Sequence, residues 1–424
     1  MLQSAVPARQ RRFRSPVRVA THPRPCWRFP LVSRSSRLDA IPPYLFGEIA
    51  RLKAEAIQAG KDLIDLGIGD PDQPTPADIV EALARAARDP ETHRYDESPA
   101  GDPAFLEAVT RRLARQFGVT LDPASQVLEL IGSKEGLAHL AWAFLDAGDV
   151  SLVPDPAYTV YRVNSLMAGA EVFAMPLLAE NAFLPDLSAI PGEVARRAKL
   201  LWVNYPNNPT GATAERAFFE DAVRFCRDYD ILLVNDAAYA EVTFDGYECP
   251  SALQVPGALD VAIEFHSFSK MFNMTGWRIG MAAGNADAIA ALNKLKSNVD
   301  SKQFRAVAQA AAYAADHASN AEALELIRKR RDILVDGLNS LGWQIPRPRA
   351  TFYVWVPVPS AFTSMTYAAA LLERAGVLAI PGIGYGQYGD GYVRMSLTVS
   401  GDTSGERLAE AVRRIADARL GPRG

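Results

Sequence analysis

The sequence of 424 residues contains only three cysteines, Cys26, Cys226 and Cys249. They follow neither a disulfide framework nor the spacing of metal ligands. We therefore expect a reducing compartment, in which the cysteines serve as small hydrophobic residues. The same scarcity leads us to predict that the protein has no metal site.

Long apolar runs and a large charge of one sign are also absent. No stretch of about 18 apolar residues occurs, so we expect no membrane-spanning helix. The formal net charge of −4 provides no basic surface for nucleic acid. What is present is an ordinary globular composition, with 49% hydrophobic and 22% charged residues. The length suffices for two to three domains of about 150 residues each.

Acidic residues are missing from the start of the chain, where nine arginines precede Asp39. This composition cannot bury a core, so residues 1–36 are predicted to be disordered. It also resembles an organellar transit peptide. We favour the alternative, a dispensable tail or an upstream start. The protein is accordingly predicted to be cytoplasmic, and organellar only if residues 1–36 are a genuine transit peptide.

Strand patterns alternate with helical patterns after this extension, which predicts an α/β fold with a mainly parallel sheet and a ligand at the carboxyl ends of its strands. Apolar strands are predicted at 62–66, 127–131, 150–153, 200–203, 231–234 and 261–265. The predicted units are an N-terminal arm (37–60), a large domain (61–296) and a small C-terminal domain (297–424).

The stretch from Ser267 to Gly280 follows one of these strands and carries the strongest motif. A lysine in a partly apolar site, here Lys270, can lose its proton and attack a carbonyl. The hydroxyls of Ser267 and Ser269, with the guanidinium of Arg278, suit a phosphate. Pyridoxal 5′-phosphate, an aldehyde with a phosphate handle, needs both features. A lone Ser-x-x-Lys would more often be a strand end with a surface lysine.

The sequence motif Ser-Phe-Ser-Lys, with Gly-Trp-Arg-Ile-Gly downstream, resembles the lysine signature of the fold-type I, class I/II pyridoxal-phosphate-dependent aminotransferases. The resemblance implies a large domain with a mainly parallel seven-stranded sheet and a smaller α+β domain. It also implies amino acid and 2-oxo acid substrates, and a homodimer whose subunits share their active sites.

Three further segments supply groups that suit this cofactor. Ser133 stands where a strand and a glycine lead into a helix, an arrangement that binds anions. Tyr158 ends a strand and can stack on a pyridine ring, whereas we assign Tyr161 to packing. A buried carboxylate such as Asp236 needs a partner, and a protonated pyridine nitrogen is one. The Walker loop and the Gly-x-Gly-x-x-Gly fingerprint are absent, so we reject nucleotide binding.

The resemblance assigns roles that the residues alone do not. It implies that Asn208 and Tyr239 bind the O3′ oxygen of the cofactor, and that Tyr95 reaches the phosphate of the neighbouring subunit. The sequence of the loop after Tyr95 differs from the one usual in the family. Lys134 is implied to contact cofactor or substrate, with a solvated helix-start lysine as the alternative.

Substrate contacts are implied for Tyr44, for the backbone of Gly69 and for Arg394. A bidentate arginine is the natural clamp for an α-carboxylate. For Tyr44, packing of the arm alone is an equal alternative. Relatives often have glycine where Lys302 stands, and this cation would meet a distal acid group of the substrate or, as we favour, face water.

Several longer stretches look most like LL-diaminopimelate aminotransferases: Pro-Pro-Tyr-Leu-Phe, Leu-Gly-Ile-Gly-Asp-Pro-Asp and Ile-Gly-Ser-Lys-Glu-Gly. That likeness implies transfer of an amino group from LL-2,6-diaminopimelate to 2-oxoglutarate in lysine biosynthesis. An alanine- or aromatic-type aminotransferase is the runner-up. A pyridoxal-phosphate-dependent C–S lyase or cyclopropane-forming synthase would keep the same cofactor residues. A transcription regulator would need a winged-helix module, for which the first 36 residues are too few.

Overall fold

The computed structural model describes residues 35–41, 45–58 and 60–422. The α-helices are α1 (Leu45–Gln58), α2 (Ala77–Ala86), α3 (Pro103–Phe117), α4 (Ser133–Phe144), α5 (Val160–Ala168), α6 (Gly192–Ala195), α7 (Arg216–Tyr229), α8 (Ala258–Val261), α9 (Phe268–Met271), α10 (Ala286–Val299), α11 (Arg305–His317), α12 (Ala321–Ser340), α13 (Ser364–Ala370) and α14 (Glu406–Asp417). The strands are β1 (Ile64–Asp65), β2 (Val127–Leu130), β3 (Val150–Asp155), β4 (Glu171–Pro176), β5 (Ala198–Val203), β6 (Leu232–Asp236), β7 (Ala262–Ser267), β8 (Gly280–Gly284), β9 (Tyr353–Pro357), β10 (Val377–Leu378), β11 (Ile380–Pro381) and β12 (Tyr392–Ser396).

Seven strands form the larger sheet in the order β2-β8-β7-β6-β5-β3-β4. Strand β8 runs antiparallel to both of its neighbours, and the other strands of this sheet are parallel to one another. Every residue of β3 and β7 is buried, so both faces of the sheet are covered. Such near-continuous apolar strands are typical of parallel sheets between helical layers. The carboxyl ends of six strands therefore meet along one edge.

A smaller unit is built on the antiparallel sheet β11-β12-β9 and on the parallel pair β1-β10. Its core joins strand residues such as Val354 and Met395 to Leu334 of α12 and Leu408 of α14. The predicted strand at 62–66 is thus shorter than expected, and it pairs with this unit rather than with the larger sheet. The predicted fold class, an α/β protein with a mainly parallel seven-stranded sheet and a smaller α+β unit, is confirmed.

The composition of the two cores bears on the predicted boundary at residue 297. Ala308, Ala311 and Ala315 of α11 lie in the core of the larger unit, because α11 packs on α2 and α3. Ile64 and Leu66, by contrast, lie in the core of the smaller one. We propose that the smaller unit begins near residue 319 and also takes in β1. None of the helices among residues 35–41, 45–58 and 60–422 could cross a lipid bilayer.

Candidate active site

A cleft of about 510 Å³ lies at the carboxyl ends of the parallel strands, where the two units meet. Its lining comprises Gly69, Asp70, Ser133, Lys134, Tyr158, Asn204, Asn208, Asp236, Ala238, Tyr239, Ser267, Ser269, Lys270, Thr275, Gly276, Arg278, Tyr353 and Arg394. All of the predicted site residues except Tyr44 and Tyr95 are in this set. A larger groove of about 1030 Å³, lined by Phe183 and Phe218 among others, contains none of them.

Lys270 lies in the short helix α9, directly after β7. Its Nζ donates a hydrogen bond to the carbonyl oxygen of Gly69 at 2.9 Å. Burial lowers the pKa of Lys270 to about 8, although the carboxylate of Asp70 favours the charged form. About a tenth of the amine is therefore in the neutral, nucleophilic form at pH 7, against well under a thousandth for an ordinary lysine.

Asp236 ends β6 and is buried. Its Oδ2 accepts a hydrogen bond from the phenol of Tyr161 at 2.7 Å. Burial raises the pKa of Asp236 to about 6, and the hydrogen bond from Tyr161 opposes this rise. Tyr161 itself stacks on Trp202, with ring centroids 5.2 Å apart. Tyr161 thus packs in the core, as predicted, and it also donates to Asp236. The sequence did not indicate this second contact, because the direction in which α5 turns the side chain is a tertiary feature.

An anion-binding end of the cleft is formed where β2 leads into α4. Gly132 caps this helix with a φ of 79°, and a Cβ at Gly132 would lie 2.6 Å from Nη2 of Arg278. A side chain there would push the guanidinium aside. The hydroxyls of Ser133, Ser267 and Ser269 line the same cleft, and none of them bonds to another side chain in the described part of the protein.

Arg394 lies in β12 and is 3% exposed. Its Nη1 donates to Oδ1 of Asn208 at 3.0 Å, and its Nη2 donates to the carbonyl of Gly67 at 2.8 Å. The guanidinium carbon lies 4.2 Å from the ring centroid of Tyr353. Its Nε is buried and has no hydrogen-bond partner within the described residues. The arginine is therefore held in place while its Nε–H has no acceptor among the described residues.

Two phenols face each other in the cleft. The hydroxyls of Tyr239 and Tyr353 are 2.8 Å apart, and burial raises the pKa of Tyr239 well above its ordinary value. The hydroxyl of Tyr353 also donates to Gly69 at 3.4 Å. The sequence assigns no role to this tyrosine. Its nearness to Arg394 is known only once β9 is seen to pair with β12.

The loop after β1 carries Gly69 and Asp70, and a buried ion pair anchors it. The two terminal nitrogens of Arg330, in α12, each lie 2.8 Å from a carboxylate oxygen of Asp72. Arg330 is fully buried. The loop turns the carbonyl of Gly69 toward Lys270. The role of its backbone N–H in binding a substrate carboxylate, which the resemblance implies, stays a prediction. Arg330 is a supporting residue that sequence patterns alone did not indicate.

The remaining predicted residues differ in their positions. Tyr158 and the exposed Lys134 line the cleft. Tyr95 does not line it, and its side chain is 94% exposed. Tyr44 lies outside the described residues.

One cluster of metal-ligating groups lies beneath the anion-binding end. Glu135, His139 and Asp300 each offer a ligand atom within a single small region. Nζ of Lys296 lies 3.3 Å from Glu135 and 3.0 Å from Asp300. Because this buried ammonium already supplies the positive charge, we assign the cluster to the packing of α4 on α10.

The groups in the cleft fit pyridoxal 5′-phosphate. Three hydroxyls, a helix N-terminus and Arg278 match a phosphate. The buried carboxylate of Asp236 matches a protonated ring nitrogen. The partly neutral Lys270 matches an aldehyde.

Comparisons with known proteins agree with this fit. The profile of the family Aminotransferase class I and II matches residues 61–415. The LL-diaminopimelate aminotransferase of Moorella thermoacetica is 52% identical over 386 residues, which cover 91% of this chain and 98% of that protein. The LL-diaminopimelate aminotransferase of Desulforudis audaxviator is 53% identical over 383 residues, which cover 90% and 96%.

A solved structure extends the likeness to three dimensions. Substrate-bound BacF from Bacillus subtilis is 36% identical to this chain, with a TM-score of 0.87, and the match covers 92% of this chain and 99% of that one. The family profile, the relatives and the shared fold all point the same way. The chain belongs to the class I and II aminotransferases, which are pyridoxal-phosphate-dependent enzymes of fold type I.

Proposed function

We propose that the protein transfers an amino group from LL-2,6-diaminopimelate to 2-oxoglutarate, a reaction of lysine biosynthesis. The observation that carries this proposal is that relatives with 52% and 53% identity, matched along nearly their whole length, are LL-diaminopimelate aminotransferases. An alanine- or aromatic-type enzyme has no comparable support.

When bound, pyridoxal 5′-phosphate supplies an aldehyde that condenses with amines and a ring that withdraws electrons from the substrate Cα. In the proposed mechanism, the Nζ of Lys270 removes the proton from Cα as a general base and later serves as a general acid. Its pKa of about 8 suits both roles near neutral pH. Arg394 holds the α-carboxylate of the substrate, which orients the Cα–H bond toward Lys270.

The cofactor would be held along the length of the cleft. Asp236 would keep the ring nitrogen protonated, and Tyr158 would stack on the ring. Asn208 and Tyr239 would bind O3′. The N-terminus of α4 would hold the phosphate. The groups proposed to hold that phosphate are the hydroxyls of Ser133, Ser267 and Ser269, together with Arg278 and Lys134.

A second copy of the chain would complete the site. We propose a homodimer, in which Tyr95 of each copy contacts the phosphate bound by the other. We also propose that Tyr44 and Gly69 contact the substrate. The 94% exposure of Tyr95 in a single chain supports this role. We propose that the enzyme acts in the cytoplasm.

A donor screen tests the substrate. Purified protein loaded with pyridoxal 5′-phosphate is given 2-oxoglutarate and, in separate reactions, LL-diaminopimelate, its meso isomer, aspartate, alanine or phenylalanine. We expect glutamate formation with the LL isomer at a kcat/KM at least about tenfold above the others. A preference for alanine or phenylalanine would refute the substrate. Release of pyruvate or ammonia without a 2-oxo acid would instead indicate a lyase.

A further inference from the structure

Lys302 anchors the loop formed by residues 96–102, which connects Tyr95 to α3. Its Nζ lies 3.2 Å from Oδ2 of Asp96 and 3.0 Å from Oγ of Ser98, and it also donates to the carbonyl of Ser98. The Lys302 and Asp96 side chains are 13% and 6% exposed. Lys302 is therefore largely buried and does not line the cleft of its own chain. The expectation that it faces water was wrong.

The same loop is also held by hydrogen bonds within it and by hydrogen bonds to the side chains of Asn293 and Glu129. Oδ1 of Asp96 accepts from the backbone N–H of Ser98 at 3.0 Å. The side chain of Asn293 donates to Pro99 at 3.0 Å, and Oε2 of Glu129 accepts from the backbone of Asp102 at 2.7 Å. Burial would raise the pKa of Asp96, but hydrogen bonds from Ser98 and the Lys302 ammonium hold it below its ordinary value. The carboxylate is thus kept charged opposite the lysine.

Tyr95 directly precedes this fixed loop, yet its own ring is almost fully exposed. Among the described residues of a single chain, Tyr95 makes no hydrogen bond or ring contact that the anchored loop would serve. Between two chains an anchored loop has a use, because a residue presented in its bound conformation loses less conformational entropy on contact.

We propose that the Asp96–Lys302 pair is a positioning device that presents Tyr95 to the active cleft of a second copy of the chain. This inference rests on the proposed function, in which Tyr95 contacts the cofactor phosphate of the neighbouring subunit. It makes Lys302 and Asp96 positioning residues, since neither touches cofactor or substrate.

A double-mutant cycle on cofactor affinity tests the device. The dissociation constant of pyridoxal 5′-phosphate is measured by titrating the cofactor-free full-length protein and following its absorbance. We expect Tyr95→Phe and Lys302→Met each to weaken binding by about tenfold. Because they act on the same contact, the double variant is expected to be no weaker than either single one. Lys302→Arg keeps the cation and should restore most of the affinity.

The matched control is Lys294→Met, which removes an exposed lysine from the neighbouring helix α10. Its affinity should equal that of the unaltered protein. If Lys302→Met does not fold, Asp96→Asn takes its place, because it removes the ion pair while an amide oxygen can still accept from the backbone of Ser98.

Additive effects of the Tyr95 and Lys302 changes would overturn the inference, as would a Lys302→Met protein with unchanged affinity. Unchanged affinity of the Tyr95→Phe protein would show that Tyr95 does not make the phosphate contact on which the inference depends. None of these outcomes bears on the donor screen. Conversely, a donor other than LL-diaminopimelate would refute the proposed substrate and leave the affinity cycle intact.

Discussion

The hydroxyl of Tyr161 lies 2.7 Å from Oδ2 of Asp236 and donates to it, so a buried phenol stabilises this carboxylate in the cleft. Both side chains are almost inaccessible to water. A buried carboxylate without a donor is costly and takes up a proton. The pair therefore keeps Asp236 able to stay ionised opposite a pyridine nitrogen.

Replacing Tyr161 by Phe should raise the pKa of Asp236, because the donor that opposes the effect of burial is lost. We expect kcat at neutral pH to fall about tenfold, given roughly 1.5 kcal/mol for a hydrogen bond to a charged group. The acid limb of the kcat–pH profile should move to higher pH. Tyr247→Phe is the control, because that buried hydroxyl donates to Ala214 outside the cleft. An acid limb at the same pH in the Tyr161→Phe and Tyr247→Phe proteins would contradict the role of Tyr161.

Asp236→Asn should stabilise the cofactor-free protein at high pH. The folded-state pKa of about 6 lies above the ordinary 3.8, so the ionised form lowers stability above pH 6 and this penalty fades as the pH falls. The shift corresponds to about 3 kcal/mol at most at pH 8, and to about half of that at pH 5. Urea unfolding at the two pH values measures the difference. A gain that does not depend on pH would count against the raised pKa.

Asp70→Asn should make Lys270 more acidic, because the carboxylate of Asp70 favours the ammonium form. The rate at which cofactor-free protein condenses with pyridoxal, which lacks the phosphate, follows the neutral amine. We expect its pH midpoint, near 8 in the unaltered protein, to move lower. Asp260→Asn, an exposed position in α8, should leave the midpoint in place. A midpoint that rises in Asp70→Asn would show that this electrostatic account is wrong.

Arg394→Lys should weaken substrate binding by about a hundredfold in KM, since the forked donor geometry is lost. The positive charge remains, so the pKa of Lys270 should change little. Steady-state kinetics with the amino donor varied measures the effect. Arg349→Lys, which alters an exposed arginine paired with Glu215, is the control. An unchanged KM would mean that another group binds the carboxylate.

Much of the site could be predicted from the sequence because each motif directly follows an apolar strand, and parallel strands bring their carboxyl ends to one edge. Strand order was not needed to expect that Ser133, Asp236 and Lys270 would meet. The strands that escaped prediction have weak local signals. β4 is a partly exposed edge strand, and β8 reads Gly-Met-Ala-Ala-Gly, a composition that disfavours strands unless tertiary packing supplies the support.

The residues that the sequence did not reveal act across long distances along the chain. Arg330 reaches Asp72, and Lys302 reaches Asp96 and Ser98, each over about two hundred residues or more. Tyr353 meets Tyr239 only because β9 of the smaller unit packs against the turn that follows β6. No local periodicity encodes such contacts, whereas the hydroxyls and the lysine of a single loop are adjacent in sequence.

The most direct test of the account is to map where the cofactor is attached. Protein loaded with pyridoxal 5′-phosphate is reduced with borohydride, digested and analysed by mass spectrometry. We expect the pyridoxyl phosphate group on the peptide that carries Lys270, and no labelled peptide from a Lys270→Ala protein. A label on any other lysine, or full transamination by Lys270→Ala, would contradict it.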